Sequence, residues 1–151
     1  GALIVCNAVG DVMDPATGRP MAGARTADGG SLLGSRDAIL GGQLPLNLLE
    51  GSNTTIGVIA TDAVLGKAQA QRLAQVAHDG LARTINPVHT QFDGDTLFAL
   101  ATGRSGQPAN MLLLAILAAE VTARAILNAV RAADPLTLGV QTWPGANGLN
   151  P

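Results

Sequence analysis

The chain has 151 residues, a formal charge of −2 and a composition that is 47% hydrophobic, 13% charged and 2% aromatic. That is about one domain, and it is too apolar for intrinsic disorder. Phe92, Phe98 and Trp143 are its only aromatic residues and it has no basic block, so it lacks the cationic, ring-bearing surface that nucleic acids require.

Cys6 is the single cysteine, so no internal disulfide can form and a reducing compartment, the cytoplasm, is expected. The first residues show no basic leader of a secretory signal. The richest apolar run, Met111–Ala119, is too short to cross a bilayer and is soon followed by Glu120 and Arg124, so no membrane partner is expected. Low charge suggests instead that partner chains cover part of the surface. The chain starts without Met on a strand-like run, which suggests the later part of a longer product, with preceding chain supplying part of the sheet and helices.

Ala2–Ala8 predicts a short buried strand. Residues 10–51 are rich in Gly and carry Pro15, Pro20 and Pro45, which predicts a long excursion with little regular structure and one apolar patch at Leu44–Leu49. Thr54–Thr61 predicts a second strand, apolar on both faces. Gly66–Arg83 predicts a helix with Leu73, Val76, Ala77 and Leu81 on one face; Gly80 should weaken its last turn, and Asn86-Pro87 should end it. Asp95–Thr102 predicts a third strand, again buried on both faces, and Ala109–Ala133 a sandwiched helix stopped by Asp134-Pro135. Residues 136–151 carry no assignable pattern. Apolar strands with helices to cover them imply an α/β fold of layered sheets and helices.

Two polar clusters precede the second and third strands. Gly51-Ser52-Asn53-Thr54-Thr55 holds more hydroxyls than a turn needs, and Asp93-Gly94-Asp95 places two carboxylates around a glycine. Each alone reads as turn chemistry. If the two strands are neighbours, the clusters converge. A threonine hydroxyl is a weak nucleophile without a base. Cleavage before Thr54 would give it a free α-amine with a pKa of about 7.7–8.0, close to the working range of a general base. His78 and His89 read as ordinary core or surface residues, no Cys/His spacing supports zinc, and no cofactor motif is present. Arg104 is a minor candidate for a substrate carboxylate.

The runs Asn53–Ala63, Gln71–Arg83 and Phe92–Thr102 resemble the self-processing N-terminal-nucleophile hydrolases of the D-aminopeptidase and β-aminopeptidase family, and within it the branch that cleaves aminohexanoate (nylon) oligomers endo-wise. The resemblance implies a four-layer αββα sandwich. It implies self-cleavage between Asn53 and Thr54, giving the end of an α subunit at residues 1–53 and a β subunit at 54–151. Thr54 would be the nucleophile, Asp93 and Asp95 the acidic pair that positions it, and Asn7 an amide near the oxyanion. Partners implied are the chain's own N-terminal α segment and further processed heterodimers, as a tetramer. A catalytic lysine from the family's earlier α-chain segment has no counterpart here; Lys67, early on a helix, does not replace it.

Ser52, in a Gly-Ser pair like the cut site of family aminopeptidases, is the rival nucleophile; strand length favours Thr54. Thr55 should point to the opposite strand face. The expected activity is hydrolysis of linear aminohexanoate oligomers. The alternatives are an aminopeptidase for β- or D-residues and a non-catalytic assembly module.

Overall fold

The computed structural model describes residues 1–43 and 53–145; the apolar patch at 44–49 and Ser52 lie outside the described residues, as do 146–151. The central sheet has the order β1 (Ala2–Val5), β4 (Ile56–Thr61), β6 (Thr96–Ala101). β1 is antiparallel to β4, with Val5 opposite Ile56, and β4 is parallel to β6, with Ile56 beside Thr96. A parallel pair needs a crossover, and α2 (Lys67–Thr84) supplies it. α3 (Met111–Ala132) packs beside α2 on the same face of the sheet.

The helices form where their sequences expect them. The Gly66 N–H donates to Gln69 Oε1 at the start of α2, and Asn110 Oδ1 accepts the Leu113 N–H at the start of α3. Leu73, Ala77 and Leu81 of α2 meet Ala118, Thr122 and Ile126 of α3, with Ile4, Ile59 and Leu97 rising from the sheet. Each large aliphatic side chain so buried stabilises the fold by about 1.5–3 kcal/mol. Gly80, expected as a weak point, is where the helices touch. A Cβ there would stand 2.5 Å from the Ala119 carbonyl oxygen and 2.6 Å from Thr122 Cβ.

Two expectations are corrected. The strands are not buried on both faces. Leu3 (71% exposed), Val5, Ile56, Phe98 (57%) and Leu100 alternate with buried Ile4, Ile59 and Leu97, because α2 and α3 cover one face only. The excursion is also more ordered than its composition suggests. β2 (Asp11–Met13) pairs with β3 (Pro20–Ala22) and with β5 (Ile85–Asn86), and α1 (Ser35–Leu40) follows. Buried Asp11 ties the two ends together, accepting the Ser35 N–H at 2.6 Å and its hydroxyl at 2.7 Å.

The unassigned tail holds a hairpin of β7 (Leu136–Leu138) and β8 (Gln141–Trp143). α3, with 22 residues, is longer than the apolar run within it and by length and composition would suffice to cross a membrane. One face, from Ala118 to Leu127, is used in the core. Among the described residues, three sheets and two long helices make a mixed α/β fold that is consistent with the αββα-sandwich type, the helices covering one face of the central sheet.

Candidate active site

Two strand registers build the site. Extending the β1–β4 ladder puts Asn7 opposite Thr54, and the Asn7 carbonyl accepts the Thr54 N–H at 2.8 Å. Extending the β4–β6 ladder puts Asn53 beside Asp93, where an isolated parallel bridge lies. The Gly94 N–H donates to the Asn53 carbonyl at 2.8 Å, and the Thr96 N–H to the Thr55 carbonyl at 2.9 Å. Thr54 therefore lies two residues before the middle strand, which starts at Ile56 rather than at Thr54 as its sequence predicts, with Asn7 on one flank and Asp93-Gly94-Asp95 on the other. The strands are neighbours, and Asn53-Thr54-Thr55, the described part of the first polar cluster, meets the second.

Strand alternation sorts the side chains. Thr55 faces the helices, fully buried, and its hydroxyl donates to Cys6 Sγ at 3.9 Å. Burial pushes the Cys6 thiol up, against the opposing effect of that bond, so it is a poor source of thiolate. Thr54 lies on the other face, with Ile56. A Cβ added at Gly94 would stand 2.6 Å from Thr54 Oγ1, so this glycine makes room for the hydroxyl.

The carboxylates grip the backbone around Thr54. Asp95 Oδ1 accepts the Thr55 N–H at 2.8 Å. Asp93 Oδ2 accepts the Thr90 N–H at 2.9 Å and the Thr90 hydroxyl at 2.8 Å, while its Oδ1 accepts the Val9 N–H at 3.3 Å. Asn53 Nδ2 donates to the Ala8 carbonyl at 3.3 Å. The peptide bond between Asn53 and Thr54 is thus held through its N–H and its C=O, with the Asp95 carboxylate fixing the next residue along and Asp93 tying the flanking turn to the segment after Asn7.

Sequence reasoning missed three participants. Thr90 closes the turn that aims Asp93; its threonine-to-aspartate spacing is the signal that was available. Gly94 was visible only as part of a turn. His89, at φ 56°, brings Nδ1 to 3.8 Å from Asp95 Oδ2 and meets the His78 ring at a centroid distance of 5.4 Å, the planes tilted by 49°. Burial, and then the charge of His89, hold the His78 pKa below its ordinary value, with Asp95 and Asp79 pulling the other way. No sequence spacing announces that cluster, because it joins a helix to a loop.

Arg104 does not join Thr54. It lines a cavity of about 750 Å³ beyond the C-terminal ends of β4 and β6, with Asp62, Thr102 and Leu117. The length of β6, roughly 17 Å at the usual strand rise, lies between. Lys67 is exposed at the start of α2. A pocket of about 140 Å³ lined by Leu33, Ala38 and Ile39 does reach Asn53.

Residues 1–142 match the model of Peptidase family S58. An uncharacterized aminopeptidase of Mycobacterium tuberculosis is 44% identical over 98% of this chain and 49% of its own length. Another, of Mycobacterium leprae, is 43% identical over 98% of this chain and 45% of its own length. A 6-aminohexanoate-oligomer endohydrolase of Kocuria sp. is 32% identical over 86% of this chain and 40% of its own length. The chain spans about half the length of the curated relatives it matches.

Proposed function

This chain belongs to peptidase family S58, and we propose that it carries the nucleophile-bearing part of a self-processing amide hydrolase. One observation carries the reading. Thr54 lies at the entrance of a central strand, and its preceding peptide bond is gripped at both polar ends, by the Asn7 carbonyl and the Gly94 N–H. The Thr54 hydroxyl attacks the Asn53 carbonyl carbon, the C–N bond breaks, and the hydroxyl proton ends on the departing nitrogen. Water then hydrolyses the ester. The division falls between residues 53 and 54, and Thr54 emerges with an α-amine as its own base, at a pKa of about 7.7–8.0. Asn7 keeps that nitrogen in place through its carbonyl, and Asp95 holds the following N–H.

For the substrate, the aminopeptidase reading is the better supported. The two mycobacterial relatives cover nearly the whole chain at higher identity and are named aminopeptidases, whereas the oligomer hydrolase is more distant. The preference for nylon oligomers drawn from the residue runs therefore gives way. It remains the second reading, supported by the same strand-entry motifs. We place the rest of the protein on the open face bearing Leu3, Val5, Ile56, Phe98 and Leu100, where a second sheet of the sandwich would pack. Assembly of processed heterodimers as a tetramer and a cytoplasmic setting complete the proposal.

The test is intact mass and N-terminal sequencing of the full-length protein, wild type against Thr54→Ala. We expect a new terminus at Thr54, absent in the variant. A terminus at Ser52 would move the nucleophile, and an intact, inactive wild-type chain would leave an assembly module. Hydrolysis of peptides with a free amine, and none of N-capped oligomers, is expected of the aminopeptidase; cleavage of capped oligomers would restore the endohydrolase.

A further inference from the structure

We propose that the Gly94 N–H is the oxyanion donor for cleavage of the Asn53–Thr54 bond. This inference rests on the self-processing reading above and adds the group that stabilises its transition state. The Gly94 nitrogen lies 2.8 Å from the Asn53 carbonyl oxygen. That oxygen takes on negative charge when the Thr54 hydroxyl adds to the carbon. A donor aimed there before reaction needs no reorganisation, and its bond becomes charge-assisted as the tetrahedral centre forms.

Three features make this more than a ladder hydrogen bond. The carbonyl concerned belongs to the residue before the nucleophile, so it is the oxygen of the bond to be broken. Its direction is fixed, because the next rung, Thr96 N–H to Thr55 carbonyl at 2.9 Å, locks the two strands in register. And the same residue makes space for the attacking group. A Cβ at position 94 would stand 2.6 Å from Thr54 Oγ1 and 3.6 Å from the Asn53 oxygen. Gly94 does not have the left-handed backbone that would by itself favour glycine, so space is the requirement here. On the other side, the Asn7 carbonyl holds the Thr54 N–H at 2.8 Å, which keeps the leaving nitrogen near the nucleophile as the C–N bond opens.

The step balances within the chain. Thr54 Oγ–C forms, C–N breaks, and one proton moves from oxygen to nitrogen. The Gly94 N–H donates a hydrogen bond throughout and transfers nothing.

The experiment replaces Gly94 by glycolic acid in the full-length precursor, which turns the amide N–H into an ester oxygen and adds no bulk. A matched ester at Thr96 removes the neighbouring rung as the control. Self-cleavage is followed by mass spectrometry, with folding checked by circular dichroism. We expect cleavage to slow by about 10²–10³-fold for the ester at 94, the scale of a lost oxyanion donor, and to stay within a few-fold of wild type for the ester at 96. Equal rates at 94 and in the wild type, or equal slowing at both rungs, would overturn the inference. A second measurement does not depend on the ester folding. In uncut Thr54→Ala precursor, an isotope-labelled Asn53 carbonyl should absorb at the lowered infrared frequency of a hydrogen-bonded amide. An unshifted band overturns the proposal. The parent reading fails separately: it falls if wild type never cuts or if Thr54→Ala still cuts after Asn53, and the inference falls with it. If wild type cuts, Thr54→Ala does not, and the ester at 94 cuts normally, the inference alone falls.

Discussion

Asp95 offers the sharpest separation of holding from chemistry. Its side chain is 5% exposed, and it accepts the N–H of fully buried Thr55 at 2.8 Å. Asp95→Ala leaves that N–H without its acceptor, at a cost of about 2–3 kcal/mol. Asp95→Asn keeps an oxygen of the same shape without its charge. Charge-assisted bonds are about twice as strong as neutral ones, so Asn should cost about 1 kcal/mol. Against a total stability of about 5–15 kcal/mol, both variants should fold. Urea unfolding, with Thr54→Ala present throughout to keep every chain uncut, should rank wild type above Asn and Asn above Ala. On the proposed role of the acidic pair, self-cleavage should split differently: Asn should slow it by roughly 10²-fold or more, because a neutral amide one residue from Thr54 cannot balance the positive charge that develops there as a carboxylate does. Equal stability of the Ala and Asn variants would refute the hydrogen-bond account. Wild-type cleavage by Asp95→Asn would refute the need for charge.

Gly80→Ala should destabilise by up to about 2 kcal/mol in the same urea titration: the new methyl meets the Ala119 carbonyl at 2.5 Å, and overpacking of about 1–3 kcal/mol outweighs the gain of about 1 kcal/mol from replacing a helical glycine. An unchanged or raised midpoint would show that the helices separate freely. His78 should make stability pH-dependent. Its pKa is depressed in the fold, by burial first and then by His89, so its contribution is full above the unfolded value of 6.5 and is lost as pH falls through the folded value. His78→Gln should flatten the stability profile below that point, and an unchanged acid slope would remove His78 as its cause.

What the sequence disclosed follows from which interactions are local. The α2 and α3 patterns are legible because their buried residues recur every third or fourth position, and both helices run long enough for the period to show. The polar clusters at 51–55 and 93–95 are legible as unusual turns. Their meeting depends on β4 and β6 being parallel neighbours, which the sequence left conditional. The region before residue 43 was misread because β2 and β3 have three residues each and α1 six, too short for a period, and because the Asp11–Ser35 contact spans 24 positions. Gly80 was misread because helix propensity describes a helix alone, whereas the residue answers to the helix beside it.

The error over the strands bears most directly on function. Apolar residues on both faces of β4 and β6 predict burial on both faces, yet Ile56, Phe98 and Leu100 lie open. Thr54 shares that face, because its position alternates with buried Thr55 and matches Ile56. The helix face therefore secures the site from behind, through Asp95 and the fully buried Thr55, while Thr54, the proposed nucleophile, looks out over an apolar surface. Hydrocarbon side chains in such number on one sheet face are stabilised by about 25 cal/mol for each Å² that a covering layer removes from water. A layer that lies on Leu3, Val5 and Phe98 must run beside Thr54 as well. In the proposed enzyme the covering segment is then more than support: it forms the wall against which a substrate carbonyl is pressed toward the hydroxyl. That explains why these residues hold the proposed nucleophile, its acidic pair and an N–H donor, while a cavity of about 750 Å³ lies at the far end of the strands.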